Sequence, residues 1–237
     1  MKDVTGITVC YNSKDLIQKA YESVRNFHPE MMIIIVDGSD ERDDCRQYVR
    51  SRHSEHTTLM LANGNIGHGR GMDAALKKVT TKYALIFDSD IVMLKSPVEK
   101  MLNMMENDTY GVGYLEKTGF DGFEYGAKPE HFQQGFMYML HPYFMLLQVK
   151  EYFKYYQFVQ HGAPCYKAAL DIHRRGLTSK IIKEFPGLGH SSGIGWNWKG
   201  EPREYIEHHT AGTRNLRRSK GLPEIEPNWD RSPLPKI

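Results

Sequence analysis

The chain has 237 residues, 40% of them hydrophobic, and a formal net charge of +2. This length and apolar content suit one domain with a sizeable core, and the near-neutral charge excludes a global field aimed at nucleic acid or acidic partners. Three widely spaced cysteines, Cys10, Cys45 and Cys165, argue against a disulfide scaffold or zinc site and for reduced thiols in a cytoplasmic setting.

Residues 6–10 predict a short β-strand, entered from a polar start that is no signal peptide. Leu16, Ile17, Ala20, Val24 and Phe27 recur at helical spacing, with Ser13 or Asp15 placed to cap the helix. Residues 31–36 form a second, wholly apolar strand, followed by Asp37-Gly38-Ser39-Asp40 and an acidic helix over 43–52. A third strand covers 57–61. The glycine-rich stretch 63–71 leads into a helix carrying Met72, Ala75, Leu76 and Val79, and a fourth strand, 83–87, runs into Asp88-Ser89-Asp90. This alternation predicts an α/β fold with a Rossmann-like, mostly parallel, right-handed sheet flanked by helices. Its polar clusters all fall at the C-terminal strand ends, where such sheets bind ligands. No stretch approaches the roughly 20 apolar residues of a membrane helix.

Asp88 and Asp90 carry the most information. The run before them is uncharged and aromatic-aliphatic, as in a strand buried on both faces. Carboxylates beside a dry strand need a partner, and a divalent cation is the usual one. A surface turn with a helix cap is the plain alternative. Two further clusters share this side of the sheet. Thr8, Tyr11 and Asn12 end the first strand; Asp37, Gly38 and Ser39 end the second. An acid there can accept a hydrogen bond from a base or ribose, while Gly38 lets a planar ring approach the backbone. In the loop, Asn65, Gly67 and Arg70 offer left-handed turns, a helix N-terminus and a cation for phosphate. The loop is neither a P-loop nor a dinucleotide fingerprint, and a plain helix entry stays open beside the ligand cradle.

Taken in order, Tyr11-Asn12, Ile34-Ile35-Val36-Asp37-Gly38-Ser39, Asn65-Ile66-Gly67 and Phe87-Asp88-Ser89-Asp90 resemble the nucleotide-binding half of family-2-like glycosyltransferases with the GT-A fold. The resemblance implies one GT-A domain over 1–237. Residues 1–105 would form the nucleotide-sugar half, and 106–237 a smaller, mixed acceptor half with the tail. It implies donor contacts from Thr8, Tyr11, Asn12, Asp37, Gly38, Ser39, Asn65, Gly67, Arg70, Asp88, Ser89 and Arg214, with Asp37 holding the base. It also implies Mn2+ or Mg2+ on Asp90, with Asp88 on ribose or the metal. A C-terminal histidine, His190 or one of His208 and His209, would complete the metal site.

The second half reads less clearly. Strands are expected at 111–115 and 179–185, and a strand turning into a helix over 135–147 around His141-Pro142. Helices are expected over 150–158 and over 165–175, the latter closed by Gly176. Cys165, Ala168 and Ala169 stand where many inverting members of the resembled family carry an acidic pair, which leaves the base open among Asp171, Asp121, Glu124 and His161. For Asp171 an intrahelical partnership with Arg174 or Arg175 is the competing reading. The expected activity is inverting, metal-dependent transfer from a nucleotide-diphosphate sugar, UDP-linked by preference, to an acceptor hydroxyl. The acceptor, whether glycan, lipid-linked glycan, protein or modified base, is not encoded legibly, and a peripheral membrane location is compatible. The alternatives are a silent sugar-nucleotide or glycan-binding module and a nucleotidyltransferase. The latter would carry a glycine-rich, lysine-bearing loop where Tyr11-Asn12-Ser13-Lys14 stands.

Overall fold

The computed structural model describes residues 1–120, 135–159, 163–188 and 204–209, with Leu216, Arg218, Ser219 and Gly221. Its first half follows the expected alternation: β1 (Val4–Cys10), α1 (Lys14–Phe27), β2 (Met32–Asp37), α2 (Asp44–Arg50), β3 (Thr57–Leu61), α3 (His68–Leu76) and β4 (Tyr83–Phe87). Strand β1 lies between β2 and β4, parallel to both, and β3 adds in parallel to β2.

Period-2 alternation divides this sheet between two cores. Ile33, Ile35, Leu85 and Phe87 pack with Ile17, Ala20 and Val24 of α1. Ile7, Ile34, Val36, Ala84 and Ile86 face the other way, onto Met72, Ala75 and Leu76 of α3. Helix α3 lies close because Gly71 has no side chain: a Cβ there would sit 2.8 Å from Val9 Cγ1. Asp43 caps α2 by accepting from the Cys45 amide at 2.8 Å. Ser13 occupies the N-cap of α1 without making the expected side-chain bond.

The second half begins with β5 (Ile91–Met93), α4 (Val98–Asn103), β6 (Gly111–Gly119) and β7 (Phe136–Gln148). It ends with α5 (Val149–Tyr152), α6 (Tyr166–Arg174), α7 (Thr178–Ile181), β8 (Ile182–Glu184) and β9 (Ile206–His208). The main sheet runs β3-β2-β1-β4-β7-β6-β8, with β7 antiparallel to both β4 and β6. The expected strand-to-helix break at His141-Pro142 does not occur; β7 passes straight through it. The register against β6 shifts between Gly113 and Leu115, and Pro142 falls in that irregularity, where a missing N–H breaks no regular ladder bond. The helix expected over 150–158 is only the short α5. The strand expected over 179–185 begins as α7 and is extended only across β8. Helix α6 and the left-handed Gly176 (φ 67°) match their expectations.

Helix α2 is tied to the sheet by a buried ion pair. Arg46 Nε lies 3.2 Å from Asp37 Oδ2, with both side chains almost wholly buried, and Nη2 donates to the Ser39 and Ala62 carbonyls. Removing one partner of such a pair strands the other charge. Arg46→Ala is therefore expected to lose about 3–5 kcal/mol in urea unfolding. Arg50→Ala, which breaks the exposed Arg50–Glu41 pair, is expected to lose about 1 kcal/mol or less.

Candidate active site

Asp88 and Asp90 leave the sheet at the end of β4, whose five residues are all buried. The turn is held from behind by β7, because the Asp88 amide donates to the Tyr143 carbonyl at 2.9 Å. From the front comes a two-stranded ribbon that periodicity did not reveal. Strand β9 pairs antiparallel with β5, Ile91 opposite His208, and the His209 amide donates to the Asp90 carbonyl at 2.9 Å.

This pairing brings a histidine 118 positions away in sequence onto the carboxylates (208 against 90). His208 Nε2 lies 3.3 Å from Asp90 Oδ1 and 3.7 Å from Asp88 Oδ2. One ligand atom from each of the three side chains falls within 4.8 Å of the others. The His208 ring is buried and stacks on Tyr143, centroids 4.8 Å apart and planes 12° from parallel. His141 and Tyr114 border this stack, and His141 Nδ1 accepts from the Tyr143 amide at 3.2 Å. On the far side His68 Nε2 lies 3.1 Å from Asp88 Oδ1. Burial opposes charge on the His68 ring, but the Asp88 carboxylate outweighs it and Asp90 adds to it, so its pKa stands above the ordinary value.

Two carboxylates and one imidazole nitrogen form a donor set suited to Mn2+ or Mg2+ once phosphate oxygens and water join it. The fold thus brings His208 beside both carboxylates. His209 is not brought there: it is half-exposed and pairs with Glu207 at 3.4 Å.

At the ends of β1 and β2, Asp37 has no exposed surface and is turned inward onto Arg46, the Ser39 amide (2.8 Å) and the Cys10 thiol (3.6 Å). In this conformation its carboxylate fixes the strand end. Asn12, at φ 47°, bonds Asp40 through both ends of its amide, and its own N–H donates to Ser39 Oγ at 2.8 Å. Gly38 is needed for the neighbouring loop, since a Cβ would meet the Gly64 carbonyl at 2.8 Å. Thr8 and Ser89 are buried and Tyr11 half-buried. Asn65 stands exposed on the loop and Arg70 in the first turn of α3, and Asn65 Oδ1 receives the Gly67 amide at 3.0 Å.

Cys10, Asp37 and Cys45 form a second group of potential ligands, fully buried. Its carboxylate charge is already paired, with Arg46. The Cys10 thiol, hydrogen-bonded to Cys45 and buried, is pushed well above its usual pKa.

Asp171 is also accounted for. It accepts from Arg175 Nε (2.9 Å) and Nη2 (3.1 Å) and from the Tyr156 amide (3.0 Å), which fastens α6 to the loop before it. Both of its oxygens are thus committed in this conformation. Asp121, Glu124, His161, His190, Thr213 and Arg214 lie outside the described residues. Sequence reading passed over His68 and Tyr143. A histidine directly after Asn65-Ile66-Gly67 was the available signal for the first; the second had none.

The model of the family described as "Glycosyl transferase family 2" matches residues 6–172. This chain belongs to that family. Beta-1,4 N-acetylgalactosaminyltransferase 1 of Rattus norvegicus is 29% identical over 121 residues, 49% of this chain and 21% of the relative. The putative teichuronic acid biosynthesis glycosyltransferase TuaG of Bacillus subtilis is 31% identical over 106 residues, 43% of this chain and 41% of the relative. The matched stretches thus span about a fifth and two-fifths of these relatives. Among solved structures, mannosyltransferase PcManGT of Pyrobaculum calidifontis, in complex with GDP-Man and Mn2+, aligns with a TM-score of 0.56 at 14% identity, over 78% of this chain and 55% of its own. S. aureus TarS aligns with a TM-score of 0.54 at 14% identity, over 92% of this chain and 38% of its own. GalNAc-T7, with UDP, GalNAc and Mn2+, gives 0.54 at 9% identity, over 71% of this chain and 40% of its own. The fold of this family 2 chain is accordingly GT-A. Among the described residues no helix is long and apolar enough to cross a membrane.

The close seat of Gly38 on the 63–71 loop yields a test. Gly38→Ala is expected to cost about 1–3 kcal/mol in urea unfolding, the usual penalty for overpacking. Unchanged stability would show that the loop yields freely.

Proposed function

We propose that this chain is a metal-dependent glycosyltransferase that takes a sugar from a nucleotide-diphosphate donor, UDP-linked by preference, and passes it with inversion to an acceptor hydroxyl. The observation that carries the reading is the convergence of Asp88, Asp90 and His208, two strand-end acids met by a histidine from a distant segment. Support comes from the family match and from two structural neighbours solved with Mn2+. For UDP it comes from GalNAc-T7 and from a TarS structure with UDP-GlcNAc, TM-score 0.50.

Asp90 and His208 would hold Mn2+ or Mg2+, with Asp88 beside them. The cation's chemistry is to neutralise the negative charge that gathers on a departing nucleoside diphosphate. The chain's own groups do the rest. Arg70, exposed in the first turn of α3, can reach a phosphate, and the amides at the start of α3 would face the same anion. Tyr11 borders the nucleoside. Tyr143 and Tyr114 wall the cation site with rings that exclude water from one side. In the transfer, the acceptor oxygen forms a bond to the anomeric carbon as the carbon–phosphate-oxygen bond breaks. The acceptor proton goes to a base sought among Asp171, Asp121, Glu124 and His161. Three free, buried cysteines favour a reducing, cytoplasmic compartment, with peripheral membrane attachment compatible.

Calorimetric titration of UDP, GDP and dTDP, with and without Mn2+, tests the reading. One nucleotide is expected to bind in a metal-dependent way, and Asp90→Ala is expected to abolish that binding. Folded protein that binds no nucleotide in the presence of Mn2+ would sink the proposal. Metal-dependent binding without turnover of any matching nucleotide sugar would instead mark a silent binding module.

A further inference from the structure

We infer that His68 is a positioning residue for the cation site: it anchors one oxygen of Asp88 so that the other is presented to the metal. This rests on the reading of Asp88, Asp90 and His208 as that site.

The two oxygens of Asp88 face different histidines. Oδ1 lies 3.1 Å from His68 Nε2, whereas Oδ2 faces His208 Nε2 at 3.7 Å. His208 Nε2 in turn stands 3.3 Å from Asp90 Oδ1. One side of the Asp88 carboxylate therefore belongs to the ligand cluster, and the opposite side belongs to His68. A carboxylate at the end of a strand rotates about its last bond unless something holds it. A ring nitrogen carried on a helix, 3.1 Å from one oxygen and so within ion-pair reach, restricts which oxygen is offered as a ligand. His68 is not itself gathered into the three-residue ligand cluster, which places it one step outside the metal.

The sequence builds this contact deliberately from the loop. Gly67, at φ 83°, turns the chain at the N-cap of α3, and the Asn65 side chain fixes that turn by accepting the Gly67 amide. His68 is the first residue of the helix, and Gly69 and Gly71, both buried, let α3 settle onto the sheet. The close seat of Gly71 on Val9 sets the height at which the imidazole meets Asp88. The exposed residues Asn65, in the loop before α3, and Arg70, in its first turn, flank His68 in sequence. A donor that pulls on this loop consequently pulls on Asp88, and donor binding and cation binding are mechanically linked through one side chain.

The test is Mn2+ affinity of the purified full chain, read from the EPR signal of free Mn2+, for wild type, Asp90→Ala, His68→Ala, His68→Asn and His68→Gln. Partners of this kind typically carry a 10–100-fold effect on metal affinity, and that loss is expected for His68→Ala. The glutamine amide nitrogen lies as many bonds from the backbone as histidine Nε2, so His68→Gln is expected to restore affinity to within a few-fold. Asparagine has the same chemistry but falls short, and His68→Asn should behave like alanine. This pair decides the matter even if alanine disturbs folding. Pulsed EPR of bound Mn2+ should show imidazole nitrogen coupling from His208 that survives in His68→Gln. Loss of that coupling would make His68 a direct ligand and overturn the inference. So would wild-type affinity in both His68→Ala and His68→Asn while Asp90→Ala abolishes binding. Failure of the wild type to bind Mn2+ would remove the cation site and the role of His68 together.

Discussion

The charge on Asp88 and Asp90 is the constraint around which the molecule is arranged. They follow a strand dry on both faces, and Asp90 keeps only 9% of its surface exposed. Carboxylates in such a place must be met by donors or by a cation. The fold meets them from two directions: the β5–β9 ribbon carries in His208, and α3 carries in His68, while β7 holds the turn by accepting the Asp88 amide. Each of these elements is fixed in turn by its own packing: Tyr143 stacks on His208, and the absence of a side chain at Gly71 lets α3 lie on β1.

A comparison inside the molecule shows why this cluster, and not its neighbour, is the chemical one. Asp37 also ends a parallel strand on the ligand side of the sheet. It faces a guanidinium that cannot give up its proton, and it is sealed from solvent. Asp88 and Asp90 face imidazoles, which can be neutral donors or ligands as the occasion requires. A cation can therefore join the second group, whereas at the first it would have to displace Arg46. The strand-end acids divide accordingly: Asp37 maintains the rim that shapes the donor side, and Asp88 and Asp90 retain capacity for a ligand.

The parallel half of the fold was legible because each of its elements announces itself locally. Wholly apolar runs mark β2 and β4, glycine marks the entry to α3, and β1, β2 and β3 are each followed by a helix. The C-terminal half was not, for reasons that lie in tertiary contacts. Pro142 reads as a break in isolation and is tolerated only because a register shift against β6 falls beside it. Strand β9 is three residues long, too short for any periodic signal, and exists because β5 offers an edge. The sequence narrowed the histidine to His190, His208 or His209, but only register decides between the last two, placing His208 opposite Ile91. The ion pair of Asp37 with Arg46 was not legible because Arg46 sits in a separate helix at a spacing that no local rule links. The Asp171–Arg175 pair, at i and i+4, was visible in advance for the opposite reason.

The account depends above all on a cation resting between Asp90 and His208. The most direct measurement is anomalous diffraction at the manganese edge from crystals grown with Mn2+ and a nucleoside diphosphate. The account predicts one strong peak within coordination distance of an Asp90 oxygen and His208 Nε2, with diphosphate density against it. Diphosphate bound with no peak at that position, or a peak seated instead among Cys10, Asp37 and Cys45, would contradict it.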